Sequence, residues 1–189
     1  MFRIRHTVVV AMTGLFVVAL QSLPAVAGAG RLLVDRVARK DPQGELFLVD
    51  LRGKERRITH SAGFESSAVF SPDGRRIAYV FRRKDKTHYG LYVAKRDGSH
   101  ARKILTGVGT GAKWSPDGKF ITYLRPDGDA IELGIGSPGG KRRRTLATAG
   151  YIGGDLEWSP DSQSIVFVRF VVTDHRRRLV LHSVNRFGR

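Results

Sequence analysis

Ser71-Pro72-Asp73-Gly74 and Ser115-Pro116-Asp117-Gly118 stand 44 residues apart, and Ser159-Pro160-Asp161-Ser162 follows after 44 more. Each meets the preferences of a type I turn, with Ser first, Pro pre-set near φ of about −65° in second place, and Gly fourth in the first two copies. An aromatic residue precedes every copy (Phe70, Trp114, Trp158), and an apolar stretch follows: Ile77 to Phe81, Phe120 to Leu124 and Ile165 to Val171. A tight turn between two such runs joins antiparallel strands. A unit of this kind repeated at fixed spacing is the sequence form of a β-propeller blade.

The rest of the chain falls into place around those turns. In the best-defined unit Gly90 to Ala94 is a third strand, Arg96-Asp97-Gly98 a turn, and Lys103 to Thr106 a closing strand. The next unit repeats the order with Ala112 to Trp114, Phe120 to Leu124, Ile131 to Ile135, and Lys141 to Leu146 after Pro138-Gly139-Gly140. Leu156 to Trp158, Ile165 to Val171 and Leu179 to Val184 give three strands of a further blade. Upstream, Leu32 to Val37, Glu45 to Asp50 and Arg57 to Thr59 match the last three strands of a first blade, with Phe47-Leu48-Val49 placed 44 residues before Leu91-Tyr92-Val93. The expected fold is therefore all-β, with about four propeller blades built as four-stranded antiparallel meanders. Units 66–106 and 110–147 are full and units 31–60 and 155–185 partial, fourteen strands in all. The first unit lacks its inner strand and the last its outer one.

The run from Phe70 to Thr106 reads aromatic-Ser-Pro-Asp-Gly, two residues, an apolar triplet, a Leu-Tyr-Val strand and an Ile-Leu-Thr ending. It resembles the TolB-type propeller repeat, and the resemblance covers Arg31 to Val184. That repeat occurs in envelope proteins, in propeller domains attached to serine peptidases and in other exported proteins. In TolB the propeller follows an N-terminal α/β domain and docks a peptidoglycan-associated lipoprotein. The sequence shows no counterpart of the α/β domain, so the resemblance implies the blades and a docking role of that general kind.

Residues 1–27 read as a signal peptide. Arg3, Arg5 and His6 make a basic start, Val8 to Leu20 an apolar run, and Ala25-Val26-Ala27 the small-x-small pattern of a cleavage site after Ala27. The run is short for a spanning helix, which needs about 20 apolar residues, so the mature chain is expected to lack a transmembrane span and to be periplasmic or secreted. There is no cysteine, which excludes disulfides and thiolate metal sites.

Lys and Arg number 33 against 17 Asp and Glu, a net charge of +16; residues 28–189 keep +14 of it. Such a charge attracts a protein or an anionic envelope component, and no sequence motif points to nucleic acid. Arg82, Arg83, Lys84 and Lys86 follow the second strand of one blade, and Arg176, Arg177 and Arg178 are assigned to the corresponding loop two units later. Loops of that kind share one face of a propeller, so these seven are the candidate partner-binding residues. A second group, Arg56, Arg57, Arg102, Lys103 and Lys141 to Arg144, falls near the outer strands and reads as rim charge that discourages edge pairing.

No catalytic, cofactor-binding or metal-binding residue is expected. Asp73, Asp117 and Asp161 sit one per turn, where a carboxylate bonds local backbone rather than a shared ion. Gly134-Ile135-Gly136-Ser137-Pro138-Gly139 has the letters of a dinucleotide fingerprint but leads into another strand instead of a helix. The six histidines are scattered, and no Gly-x-Ser-x-Gly elbow is present.

The reading is an exported, non-catalytic binding module that docks a macromolecular partner in the envelope or outside the cell. The alternatives are a propeller split from a serine peptidase or hydrolase, and an inactive truncated remnant. The two partial units do not complement each other. The blades should then form an open arc with apolar faces around Val34 and Phe47 at one end and Trp158 and Phe167 at the other, covered by self-association or by another blade-bearing chain. Gly74 and Gly118 should adopt positive φ, and Ser162 should tolerate alanine.

Overall fold

The computed structural model describes residues 16–22, 31–38, 41–61, 63–83, 85, 89–173 and 176–189. They form fifteen strands in four antiparallel sheets. The first sheet is β1 (Phe16–Ser22), β2 (Arg31–Ala38), β3 (Asp41–Asp50) and β4 (Glu55–Arg57). The second is β5 (Gly63–Phe70), β6 (Arg76–Arg83), β7 (Tyr89–Lys95) and β8 (Arg102–Thr106). The third is β9 (Thr110–Trp114), β10 (Ile121–Asp127), β11 (Ala130–Gly136) and β12 (Arg143–Ala149), and the fourth is β13 (Ile152–Trp158), β14 (Ser164–Thr173) and β15 (Arg176–Asn185). Within each sheet the spatial order follows the chain or its reverse, so every sheet is a meander. This is the propeller-blade architecture expected from the repeat.

The Ser-Pro-Asp turns join the first two strands of blades 2, 3 and 4. In blade 2 the Gly74 N–H donates to the Ser71 carbonyl at 2.8 Å, and the Ser71 N–H to the Arg76 carbonyl at 2.9 Å. The Ser71 hydroxyl donates to Asp73 Oδ1 at 2.5 Å and accepts the Arg76 N–H at 2.9 Å. The same bonds recur at Ser115 and Asp117 and at Ser159 and Asp161. Each Asp therefore spends its carboxylate inside its own turn. The bond from Ser71 holds the Asp73 carboxyl below the usual range.

Two expectations need correction. In the uncleaved chain the first unit is not short of its inner strand: β1 pairs β2, with Ser22 opposite Leu32 and Leu20 opposite Val34, and gives that sheet a fourth strand. The strand comes from the segment read as a leader, whose remaining residues, the Ala25 to Ala27 site included, lie outside those described. The repeat into the first blade also measures 45 residues rather than 44. Leu46, not Phe47, occupies the place of Leu91, since both are buried on the side facing the following blade. A one-residue offset turns every side chain of a strand to the opposite face.

Three apolar clusters hold the sheets together, one at each joint between consecutive blades. Leu33, Leu46 and Leu48 of blade 1 meet Ile77, Tyr79 and Ala94 of blade 2. Val80, Leu91 and Val93 of blade 2 meet Trp114, Ile121 and Tyr123 of blade 3. Leu133 and Ile135 of blade 3 meet Ile165, Phe167 and Val184 of blade 4. Alternation explains the arrangement, because successive residues of each strand face the preceding and the following blade in turn. Among the described residues no such cluster joins blade 4 to blade 1. Over the described residues the propeller is an open arc.

Candidate functional site

The side of blade 4 turned away from blade 3 is where the arc leaves apolar side chains uncovered. Its second and third strands pair Val168 with Leu181, as Val80 pairs with Leu91 in blade 2 and Leu124 with Leu133 in blade 3. Leu91 and Leu133 are both 0% exposed, whereas Leu181 is 69% exposed and Leu179, on the same face, 62%. The residues are the same; only the covering blade differs. Val166, Val168 and Phe170 share this face by alternation and are half-buried, and Tyr151 lies at its margin with its ring 4.5 Å from that of Phe170. Covering a leucine of this kind is worth roughly 1.5–3 kcal/mol.

That placement corrects the expected ends of the arc. Phe167 is buried against blade 3 and Trp158 stacks on Phe120 of the same blade at 6.5 Å, so neither lies on the open side. At the opposite end Phe47 and Val49 alternate with Leu46 and Leu48, which face blade 2. They therefore point to the outer side of blade 1. The side chain of Val34 lies outside the described residues.

The described candidate charged residues lie in strand ends rather than in loops. Arg82 and Arg83 end β6; the Arg82 guanidinium lies 5.0 Å from the Phe64 ring centroid, and Arg83 Nε is 3.5 Å from Asp85. Lys84 and Lys86 lie outside the described residues, as does the side chain of Arg177. Arg176 to Arg178 are not in a loop: they open β15, paired with Val171 to Thr173, and Arg176 and Arg178 are exposed. Blade 3 stands between the two groups, so they occupy corresponding ends of non-adjacent blades.

Two polar sites were not singled out in the sequence. Glu65 is buried between blades 1 and 2, bonded by the Ser61 hydroxyl and with Oε2 unpaired. Burial pushes its carboxyl up to about 7, with Glu45 adding to the rise, while the Ser61 and Thr59 hydroxyls and the charge of Arg57 lower it. In blade 3, Glu132 accepts bonds from the Tyr123 hydroxyl at 2.9 Å, the Thr145 hydroxyl at 2.9 Å and Arg125 Nε at 2.8 Å. Burial alone would raise the Glu132 carboxyl, but these bonds outweigh it and hold it below the usual range. Gly134 makes room for the arrangement, because a Cβ there would meet the Tyr123 ring. Neither carboxylate could be recognised from a motif, since the partners of Glu132 come from two other strands and the burial of Glu65 comes from the packing of blade 1 on blade 2.

No group of three or more His, Asp or Glu side chains suited to a metal ion occurs among the described residues. No helix among them is long and apolar enough to cross a membrane.

Repeated four-stranded meanders joined face to face define a β-propeller repeat protein. The TolB beta propeller domain family matches residues 11–189, and the chain belongs to that family. Similar solved structures include a putative TolB from Agrobacterium tumefaciens, 20% identical over 84% of this chain and 58% of that one, with a TM-score of 0.66. TolB from Acinetobacter baumannii is 18% identical over 81% of this chain and 40% of that one, with a TM-score of 0.64. The β-propeller domain of the Trilobed protease from Pyrococcus furiosus, described as having an open velcro topology, is 14% identical over 89% of this chain and 55% of that one, with a TM-score of 0.55. The chain thus spans about half the length of these structures.

Proposed function

We propose that this protein is exported and works, in the envelope or outside the cell, as a non-catalytic binding module. It joins a macromolecular partner across the open side of blade 4. The observation that carries this reading is the exposure of Leu181 at the position where Leu91 and Leu133 are fully buried. A surface shaped to receive the next blade favours a partner that presents a blade face, which is a second copy of this chain or another blade-bearing chain. Phe47 and Val49 on the far side of blade 1 give a second copy a face of the required kind. Arg176, Arg177 and Arg178 on blade 4, with Arg82, Arg83, Lys84 and Lys86 at the corresponding end of blade 2, are the proposed charged residues, steering an acidic partner toward the blades. Export rests on the leader-like pattern of residues 1–27.

Capture from a native envelope extract with immobilised wild-type chain and a Leu181→Arg variant tests the reading. The wild type should retain a blade-bearing protein in fixed ratio, either itself or another, and the variant should lose it. Equal retention by both would overturn the proposed surface.

A further inference from the structure

Between blades 2 and 3 an open groove of about 650 Å³ runs beside β8. Five consecutive residues, Lys103 to Gly107, form one wall, and Arg125 and Arg143 stand on the other. We propose that this groove takes an extended acidic peptide segment, which adds its backbone to the outer edge of β8 and sets carboxylates against Arg125, Lys103 and Arg143. The proposal rests on reading the protein as a binding module and names the chemistry of one partner surface.

Three observations converge on that ligand. First, β8 ends its sheet and is hydrogen-bonded to a strand on one side only, so it offers main-chain donors and acceptors to an incoming strand. Basic residues on such an edge repel an identical edge and welcome one of opposite charge. Second, Lys103 and Arg143 are exposed and have no acidic partner among the described residues; Asp127 is the acid at the groove wall. Third, Arg125 is fixed in place. Its Nε and Nη2 both bond Glu132 Oε2, and the Glu132 side chain, 4% exposed, is itself held by Tyr123 and Thr145. A buried carboxylate bound on all sides is a costly way to stabilise a fold, but it orients a guanidinium fork that is still 33% exposed. Orientation in advance lowers the entropy lost when a carboxylate arrives. Glu132 is thus a positioning residue, and the groove is long enough for roughly five residues of extended chain at about 3.3 Å each.

The test uses a fluorescein-labelled peptide of about eight residues alternating Glu and Thr, with a Lys-Thr peptide as control, read by anisotropy at low salt and by backbone amide shifts. The acidic peptide should saturate and shift the amides of Lys103 to Gly107, while the control does neither. Lys103→Ala with Arg143→Ala should weaken binding about tenfold, and Glu132→Gln about threefold with unchanged secondary structure, whereas Arg52→Ala with Lys54→Ala, exposed in the turn of blade 1, should leave it within about twofold. Failure to saturate, equal binding by the Lys103 and Arg143 variant, or binding without shifts along β8 would each overturn the proposal. The last pattern is that of a polyanion such as an acidic glycan held by charge alone. None of these variants touches Leu181, so light scattering shows separately whether the broader reading survives.

Discussion

The Ser162 hydroxyl oxygen accepts the backbone N–H of Asp117 at 3.0 Å and so ties the turn of blade 4 to that of blade 3. Ser162 is buried and sits at φ 61, in the left-handed region, where its counterparts Gly74 and Gly118 sit at φ 67 and 69. The serine therefore accepts backbone strain in exchange for an inter-blade bond that glycine cannot make.

Ser162→Ala is expected to destabilise the chain by about 1–2 kcal/mol, because the strain stays and the Asp117 N–H loses its partner. This corrects the expectation that alanine is tolerated there. Gly74→Val and Gly118→Val should cost about 1–3 kcal/mol through φ alone. Thermal melts of the three variants check this; an unchanged Ser162→Ala melt would show the bond to be idle.

Leu133→Ala should cost about 2–5 kcal/mol, since it opens a cavity in the joint between blades 3 and 4. Leu181→Ala, at the equivalent but uncovered position, should change the stability of the dilute, unassociated chain by less than about 0.5 kcal/mol. Denaturant unfolding of both variants measures the contrast, and equal losses would mean that Leu181 is covered after all.

Stability should fall as pH rises through the window set by Glu65. Its carboxyl ionises near 4.5 in the unfolded chain and near 7 when folded, so between those values the unfolded chain holds fewer protons and unfolding releases one. Below the window the loss is absent; above it the loss is complete, on the order of 2–3 kcal/mol. Glu65→Gln should flatten this slope, as read by urea unfolding at about pH 5 and about pH 8. A wild-type slope of opposite sign would show that Arg57 dominates the site.

Cleavage after Ala27 would carry β1 away with the leader and bare the inner edge of β2. Mass spectrometry of the exported protein should find an N-terminus at Gly28. A chain that keeps residues 16–22 would instead be one whose first blade is completed by β1.

The blades were legible because each Ser-Pro-Asp turn dictates its own hairpin, and the apolar period on either side fixes strand direction. The joints were less so. A single extra residue between Leu46 and Leu91 reverses the faces of the first blade, and period-two alternation alone does not say which face meets which neighbour. β1 was hidden because an apolar run beside small residues satisfies a leader and an inner strand equally. Lys103 and Arg143 read as scattered rim charge, since only the packing of blade 2 on blade 3 brings them to one groove with Arg125.

Light scattering behind a sizing column, with the wild-type chain and Leu181→Arg at about 10 μM, tests the central claim most directly. The account predicts that the wild type elutes as a dimer or larger assembly and the variant as a monomer that binds an apolar-surface dye more strongly. A wild-type chain that is a compact monomer without dye binding would contradict the open arc and its uncovered blade face.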